Sequence, residues 1–289
     1  MQCRYVGDLG DFGKYGLLKA LCKDNLRLGV VWYLTKNEGH NNDGKYIEYL
    51  IPSEKNSNRF RVCDPDLYDG LRKIVVPEDD TKGNVVSKGK RCVISIREEK
   101  ILPRDTVFYE EPLIAEKSDV VTIQCDHNTH EVTKSSRKQW LDDAQEKTKG
   151  QDVVFIDPDN GFQVDSVQRH HTRAPKYTFF DDLSTYLKMG KSLVVYQHIA
   201  RNKPAKDQIR ERFKQIKENF FNGPGIHLPN DAFALQYHRG AARVFFVITG
   251  DDKHKQILRD RARCFLDGHW SEHFDRPVEL KGEELVNIN

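Results

Sequence analysis

The 289 residues are enough for one large core or two modest domains, and a 38% hydrophobic share with a mean hydropathy of −0.70 points to a compact core carrying long polar excursions. Balanced charge, 46 basic against 44 acidic residues for a net +2, decides nothing about partners by itself. No stretch approaches the roughly 20 consecutive apolar residues of a membrane span, and the opening MQCRYVGDLGDFGKYG has no apolar h-region, so the expectation is a cytoplasmic protein without a membrane partner.

In chain order, Asp11 is placed to cap a helix along which Phe12, Tyr15, Leu18, Lys19 and Cys22 recur at helical spacing. Residues 28–34 (LGVVWYL) read as a buried strand, and 35–45 as a polar loop. Residues 59–63 read as a strand. Asp64-Pro65-Asp66 reads as an N-cap with proline at the first helical position, opening a helix through Ile74. Residues 77–89 form a polar excursion, and 92–96, 106–109 and 120–125 read as further strands. Together, 45–125 predicts an inserted subdomain or an elaborated crossover within a single α/β domain, 1–289.

Beyond it, Ser135 or Ser136 caps a helix carrying Trp140, Leu141 and Ala144, and DVVFID at 152–157 is a strongly buried strand. A helix through 183–187 ends near Gly190, SLVVY at 192–196 is the next strand, and 206–221 is a long amphipathic helix stopped at 222–225. Strands 232–238 and 243–249 are joined by four residues, which permits only an antiparallel hairpin. A last helix over 254–266 precedes a polar tail. Alternating strands and helices predict a mostly parallel sheet with helices on both faces, closed by that hairpin. Cys3, Cys22, Cys63, Cys92, Cys125 and Cys264 show no CxxC pairing and read as free thiols in a reducing compartment, not a zinc site.

The segment most loaded with chemistry is FIDPDNGF, 155–162. A buried strand delivers Asp157 at its carboxyl end, where open α/β sheets bind ligands. Pro158 stiffens the exit, and Gly161 permits a turn that a β-carbon would crowd. Asp159 and Asn160 add polar groups too concentrated for core packing. Gln197, His198 and Arg201 follow the 192–196 strand at the same edge, so His198 and Arg201 are candidate substrate contacts. Residues 201–217 (RNKPAKDQIRERFKQIK) with Arg259, Arg261 and Arg263 are either a basic face for phosphates or a solvated surface laced with charge pairs.

Three stretches carry a family resemblance. The closing hairpin resembles that of the Rossmann-like, class I S-adenosylmethionine-dependent methyltransferase fold, whose last strand inserts antiparallel into an otherwise parallel sheet. Asp157-Pro158-Asp159-Asn160 resembles the [D/N]-P-P-[Y/F] motif of the amino-methyltransferases: Asp157 and Pro158 match, Asp159 replaces the second proline, Asn160 the aromatic, and Phe162 stands two places on. In that family the acid and proline carbonyls accept hydrogen bonds from the target amine, and the aromatic stacks on the flipped base. Gly7-Asp8-Leu9-Gly10-Asp11-Phe12-Gly13-Lys14-Tyr15 resembles the G-N-x-x-D-x-x-K-H opening of bacterial large-subunit ribosomal RNA adenine-N6 methyltransferases, with Gly7, Asp11 and Lys14 matching and Asp8 and Tyr15 changed. A group of bacterial and phage proteins of unassigned activity, pairing this opening with D-P-D-N-G, is more similar still.

The resemblance implies an enzyme methylating a nucleic-acid base amine, adenine N6 foremost, in DNA or RNA. Asp157, Pro158, Asp159, Asn160 and Phe162 would be its catalytic set. Gly7, Asp8, Asp11 and Lys14 would hold S-adenosylmethionine, Lys14 through the cofactor's carboxylate, together with Glu38, Gly39 and Asp43 of the loop after the first strand. The glycines spaced by three around Lys14 equally suit close helix packing. Two other readings stay open: a Mg²⁺-dependent nuclease or hydrolase with Asp8, Asp11, Glu38, Asp157 and Asp159 as oxygen ligands, and a catalytically degenerate nucleic-acid-binding protein.

Overall fold

The computed structural model describes residues 1–37, 44–76, 91–115, 120–125, 128–133, 136–221 and 231–288. Glu38, Gly39 and Asp43, the 77–89 excursion and the 222–225 helix stop lie outside the described residues. Helix α1 (Leu9–Leu21) leads into strand β1 (Leu28–Trp32). A short α2 (Glu54–Asn56), α3 (Pro65–Val75) and α4 (Val93–Glu98) then lead to β2 (Val107–Tyr109). The hairpin β3 (Val120–Cys125) and β4 (Asn128–Thr133) and helix α5 (Arg137–Thr148) precede β5 (Val153–Asp157). There follow the short β6 (Gly161–Phe162) and β7 (Tyr177–Thr178), α6 (Phe180–Lys188), β8 (Ser192–His198) and α7 (Ala205–Ile216). The chain closes with β9 (Ala232–Tyr237), β10 (Arg243–Ile248), α8 (Asp252–Leu266), β11 (Val278–Lys281) and β12 (Glu284–Asn287).

Eight of these strands form one mixed sheet in the order β12-β11-β9-β10-β8-β5-β1-β2. β2, β1, β5 and β8 run parallel, and β10 lies antiparallel between β8 and β9, which therefore share a direction. The five expected strands thus lie in one sheet. Strict alternation along the buried strands supplies two cores. Val30, Trp32, Phe155, Val194, Phe233 and Phe245 face α1, α3, α4 and α8, while Val31, Val154, Ile156, Val195, Ala234 and Phe246 face α5, α6 and α7. Each fully buried large apolar side chain contributes about 1.5–3 kcal/mol.

Four local expectations need correction. Asp8, not Asp11, caps α1: its carboxylate accepts from the Gly10 and Asp11 backbone N–H groups, and Asp11 turns inward from the first turn. Residues 59–63 are not a strand: Ser57–Arg61 is a π turn burying Phe60. Residues 92–96 open α4, with Val93 and Ile96 one turn apart on its buried side. The polar tail holds β11 and β12, half-exposed edge strands without an apolar run to announce them. Asp64 and Pro65 do open α3, the Asp64 carboxylate accepting from Leu67 N at 2.9 Å. Tyr49, Leu50, Phe60, Leu71 and Ile96 share the core of β1 and α1, and β2 extends the main sheet, so the described part of 45–115 is an elaborated crossover. The β3–β4 hairpin stands outside that sheet. Among the described residues no helix is long and apolar enough to cross a membrane.

Candidate functional site

A cleft of about 270 Å³ opens at the carboxyl edge of the parallel strands, where β5 and β8 end and α1 and β10 begin. Asp8, Asp11, Lys14, Asp157, Pro158, Asp159, Asn160 and His198 all line it, so the two sequence motifs meet there although 143 residues separate Lys14 from Asp157.

Buried charge organises its floor. Lys14, 4% exposed, donates from Nζ to Asp11 Oδ1 and to Asp157 Oδ2, each at 2.8 Å. Asp11 Oδ2 accepts in turn from Gly7 N and the Tyr15 hydroxyl, both at 3.1 Å. Burial pushes the Asp11 carboxyl up to about 6, against the pull of Lys14 and with help from Asp8. Burial also works against the Lys14 ammonium, but Asp11 and Asp157 outweigh it and hold its pKa above the usual lysine value. Arg243 follows the same logic: burial opposes its charge, while Asp8, 3.6 Å away, and Tyr196 raise its pKa. Its guanidinium also donates to Ala241 O at 3.0 Å.

The turn after β5 is held from both sides. Gly161 has φ +109°, and a β-carbon there would overlap Gln197 Oε1, which accepts from Phe162 N at 3.0 Å. Gln197 Nε2 donates to the Asn160 carbonyl at 3.1 Å, and Asn160 N donates to Lys176 O at 2.9 Å. The Met1 ammonium donates to the Tyr33 carbonyl at 2.7 Å and forms an ion pair with Asp159 Oδ1 at 2.5 Å. Gln2 Nε2 donates to Asp159 Oδ2 at 2.8 Å. Burial alone would raise the Asp159 pKa, but the ammonium and Gln2 hold it below the ordinary carboxylate value.

The structure places several of the expected site groups differently. Phe162 is fully buried, stacked on Phe180 at 5.3 Å and edge-on to Phe246, so it packs the core and faces no ligand. The N–H groups at the start of α1 are taken, Leu9 N by the Tyr46 carbonyl and Gly10 N and Asp11 N by Asp8, so they offer a cofactor no donors. The glycine face of α1 serves close packing: β-carbons on Gly10, Gly13 and Gly16 would overlap Arg243, Tyr237 and Trp270. Gly7, at φ +73°, makes the turn into the helix and does not line the cleft. Exposed Arg201 does not line it either.

Sequence reasoning missed Arg243, Tyr196, Lys176, Tyr5 and Tyr46, all on the cleft wall. Arg243 was within reach, because an antiparallel strand begins where its parallel neighbours end; it pairs with His198 in register. Many residues of the basic stretches have internal partners. Arg210 pairs with Asp207 at 2.8 Å, Lys203 with Glu211, Lys214 with Glu283, Arg259 with Asp231 and Glu279, and Arg263 with Asp260. Arg261 donates to the Leu21 carbonyl at 2.9 Å. That is the pattern of a solvated surface laced with charge pairs. Among the described residues no group of three or more His, Cys, Asp or Glu could hold a metal ion; the Asp8, Asp11, Asp157 and Asp159 carboxylates each have a cationic partner instead. No protein-family model matches the chain, and no curated protein matches it.

Proposed function

We propose that the cleft binds S-adenosylmethionine and presents an exocyclic base amine of a nucleic acid, adenine N6 foremost, for methyl transfer. The observation that carries this reading is the meeting of the two motif segments in one buried ion triad, Asp11–Lys14–Asp157, at the carboxyl edge of the sheet. The placement of β10 between β8 and β9 supports it, since an antiparallel last strand in that position is how the class I methyltransferase fold closes. The nucleic-acid partner rests on the resemblance of the motifs.

A cleft lined by both signs of charge suits a zwitterionic amino-acid cofactor: Lys14 and Arg243 for its carboxylate, Asp8 and Asp11 for its ammonium. When bound, that cofactor supplies an electrophilic methyl group. Asp157, ion-paired with Lys14, and the Pro158 carbonyl accept hydrogen bonds from the amine and orient it. The Asp159 side chain is already committed to Met1 and Gln2, so that position shapes the turn without touching substrate. With Phe162 in the core, stacking on the base falls to Tyr46, an aromatic 46% exposed on the cleft rim. Calorimetric titration of the wild type with S-adenosylmethionine and then Mg²⁺ tests the reading. Saturable binding of the first, retained in Asp157→Ala, supports it. A Mg²⁺ heat lost in both Asp157→Ala and Asp159→Asn, with no heat from S-adenosylmethionine, contradicts it in favour of a metal-dependent hydrolase.

A further inference from the structure

Away from the carboxylates, two thiols face each other. Cys3 Sγ lies 3.4 Å from Cys92 Sγ, and both residues are 2% exposed. A disulfide bond is about 2.05 Å long, so the sulfurs need to close by only about 1.4 Å. Neither sits in a long rigid element: Cys3 opens a three-residue 3-10 turn, and Cys92 is the extended N-cap of α4. The two segments are already strapped together nearby, where Arg91, next to Cys92, donates from Nε to the carbonyl of Val6, three residues after Cys3, at 2.7 Å.

We infer that Cys3 and Cys92 form an oxidative modification site, a dithiol that small peroxides or low-molecular-weight disulfides convert to an intramolecular disulfide. With hydrogen peroxide one thiol is oxidised to a sulfenic acid with release of water. The second thiol displaces its hydroxyl, the S–S bond forms and a second water leaves, so two electrons and two protons pass from the thiols to the peroxide. Exchange with a low-molecular-weight disulfide reaches the same product through a mixed disulfide, releasing two small thiols.

The bond acts on the cleft wall. Residues 1–7 carry Met1 and Tyr5 into the cleft, tie Asp159 through Met1 and Gln2, and end at Gly7, whose N–H supports Asp11. A Cys3–Cys92 bond clamps this segment to α4 and closes a loop spanning 89 residues, a length at which a crosslink restricts the unfolded chain strongly. Because both sulfurs are buried, oxidation waits on local opening of that segment and is slower than alkylation of exposed Cys264. None of this depends on what the cleft binds.

The test is oxidation of the full chain with hydrogen peroxide and, separately, glutathione disulfide, followed by unfolding, alkylation and peptide mapping. The expected product has lost two hydrogens, carries a Cys3–Cys92 linked peptide, leaves Cys22, Cys63, Cys125 and Cys264 alkylated, melts about 5 °C or more higher, and reverts with dithiothreitol. Cys92→Ser should show neither the link nor the shift. Should that variant not fold, the wild-type map decides alone. Separate alkylation of Cys3 and Cys92 after both treatments, or linkage of either to another cysteine, overturns the site. A Cys3–Cys92 link with an unchanged or lowered melting temperature overturns the clamp.

Discussion

Replacing Lys14 with methionine keeps the length and bulk of the side chain and removes the ammonium that Asp11 and Asp157 share. The two carboxylates are 1% and 2% exposed, so neither can recover its lost partner from water. Deleting one member of such a buried group costs about 3–5 kcal/mol, because the charges left behind stay desolvated. The pH dependence identifies the cause. Asp11 in the fold titrates at about 6 against an ordinary 3.8, so the folded state binds its proton more readily than the unfolded chain does. Its ionisation therefore costs stability as pH rises through that window, and the cost is relieved as pH falls. Without Lys14 the folded value climbs further and the window extends above pH 6, at about 1.4 kcal/mol per pH unit for each proton. Urea unfolding of wild type and Lys14→Met at pH 7 and pH 5 should show a deficit of about 3–5 kcal/mol at pH 7 that narrows by about 1–2 kcal/mol at pH 5. A variant within about 1 kcal/mol of wild type at pH 7, or a deficit that widens in acid, refutes the buried triad.

Gly161→Ala forces a β-carbon onto Gln197 at a positive φ, and should lower the melting temperature by several degrees; an unchanged melt contradicts the turn geometry. Asp8→Ala removes the cap of α1 and should cost about 0.5–2 kcal/mol in chemical denaturation, whereas a loss below that would mean the helix start is held elsewhere. His273 is fully buried, accepts from Arg239 Nε at Nδ1 and sits 2.9 Å from the Arg59 carbonyl through Nε2. Burial, helped by Arg239 and Arg59, lowers its pKa to about 4. Protonation thus favours the unfolded chain, stability is lost as pH falls from the ordinary 6.5 toward 4, and an NMR titration giving a value above 6 contradicts this. Tyr46→Ala should weaken binding of an adenine-containing single strand roughly tenfold while leaving S-adenosylmethionine affinity alone, since loss of one base–aromatic stack is worth about 1–3 kcal/mol; equal binding of that strand by variant and wild type removes Tyr46 from the site.

The central strands were legible because burial on both faces writes a continuous apolar run, as in VVFID and LGVVW, and the four-residue link at 239–242 could only make a hairpin. Asp157 was legible for the same reason: a carboxylate ending such a run has the sheet's ligand edge as its place. What failed was polar or short. VELK and ELVN are half-exposed strands added at the sheet edge, and their pairing is written in the register with β9 and between themselves, not in hydrophobicity. Residues 92–96 carry β-branched side chains yet wind into α4, where tertiary burial of Val93 and Ile96 overrides propensity. In the site, the spacing of Asp8 and Asp11 suits either as the cap, and only the inward pull of Lys14 and Tyr15 on Asp11 distinguishes them. The spacing of Phe162 from Asp157 likewise gives no hint that the turn at Gly161 points its ring into the core.

The measurement closest to the central claim is transfer of a radiolabelled methyl group from S-adenosylmethionine to adenine-containing RNA and DNA, with wild type, Asp157→Asn and Asp157→Ala compared at matched S-adenosylmethionine occupancy. The account predicts label on adenine N6 with the wild type, a reduced but measurable rate for Asp157→Asn, which keeps a carbonyl acceptor for the amine, and a loss of about a hundredfold or more for Asp157→Ala, which keeps none. Transfer by Asp157→Ala at the wild-type rate, or a wild type that neither binds the cofactor nor labels any adenine, contradicts it.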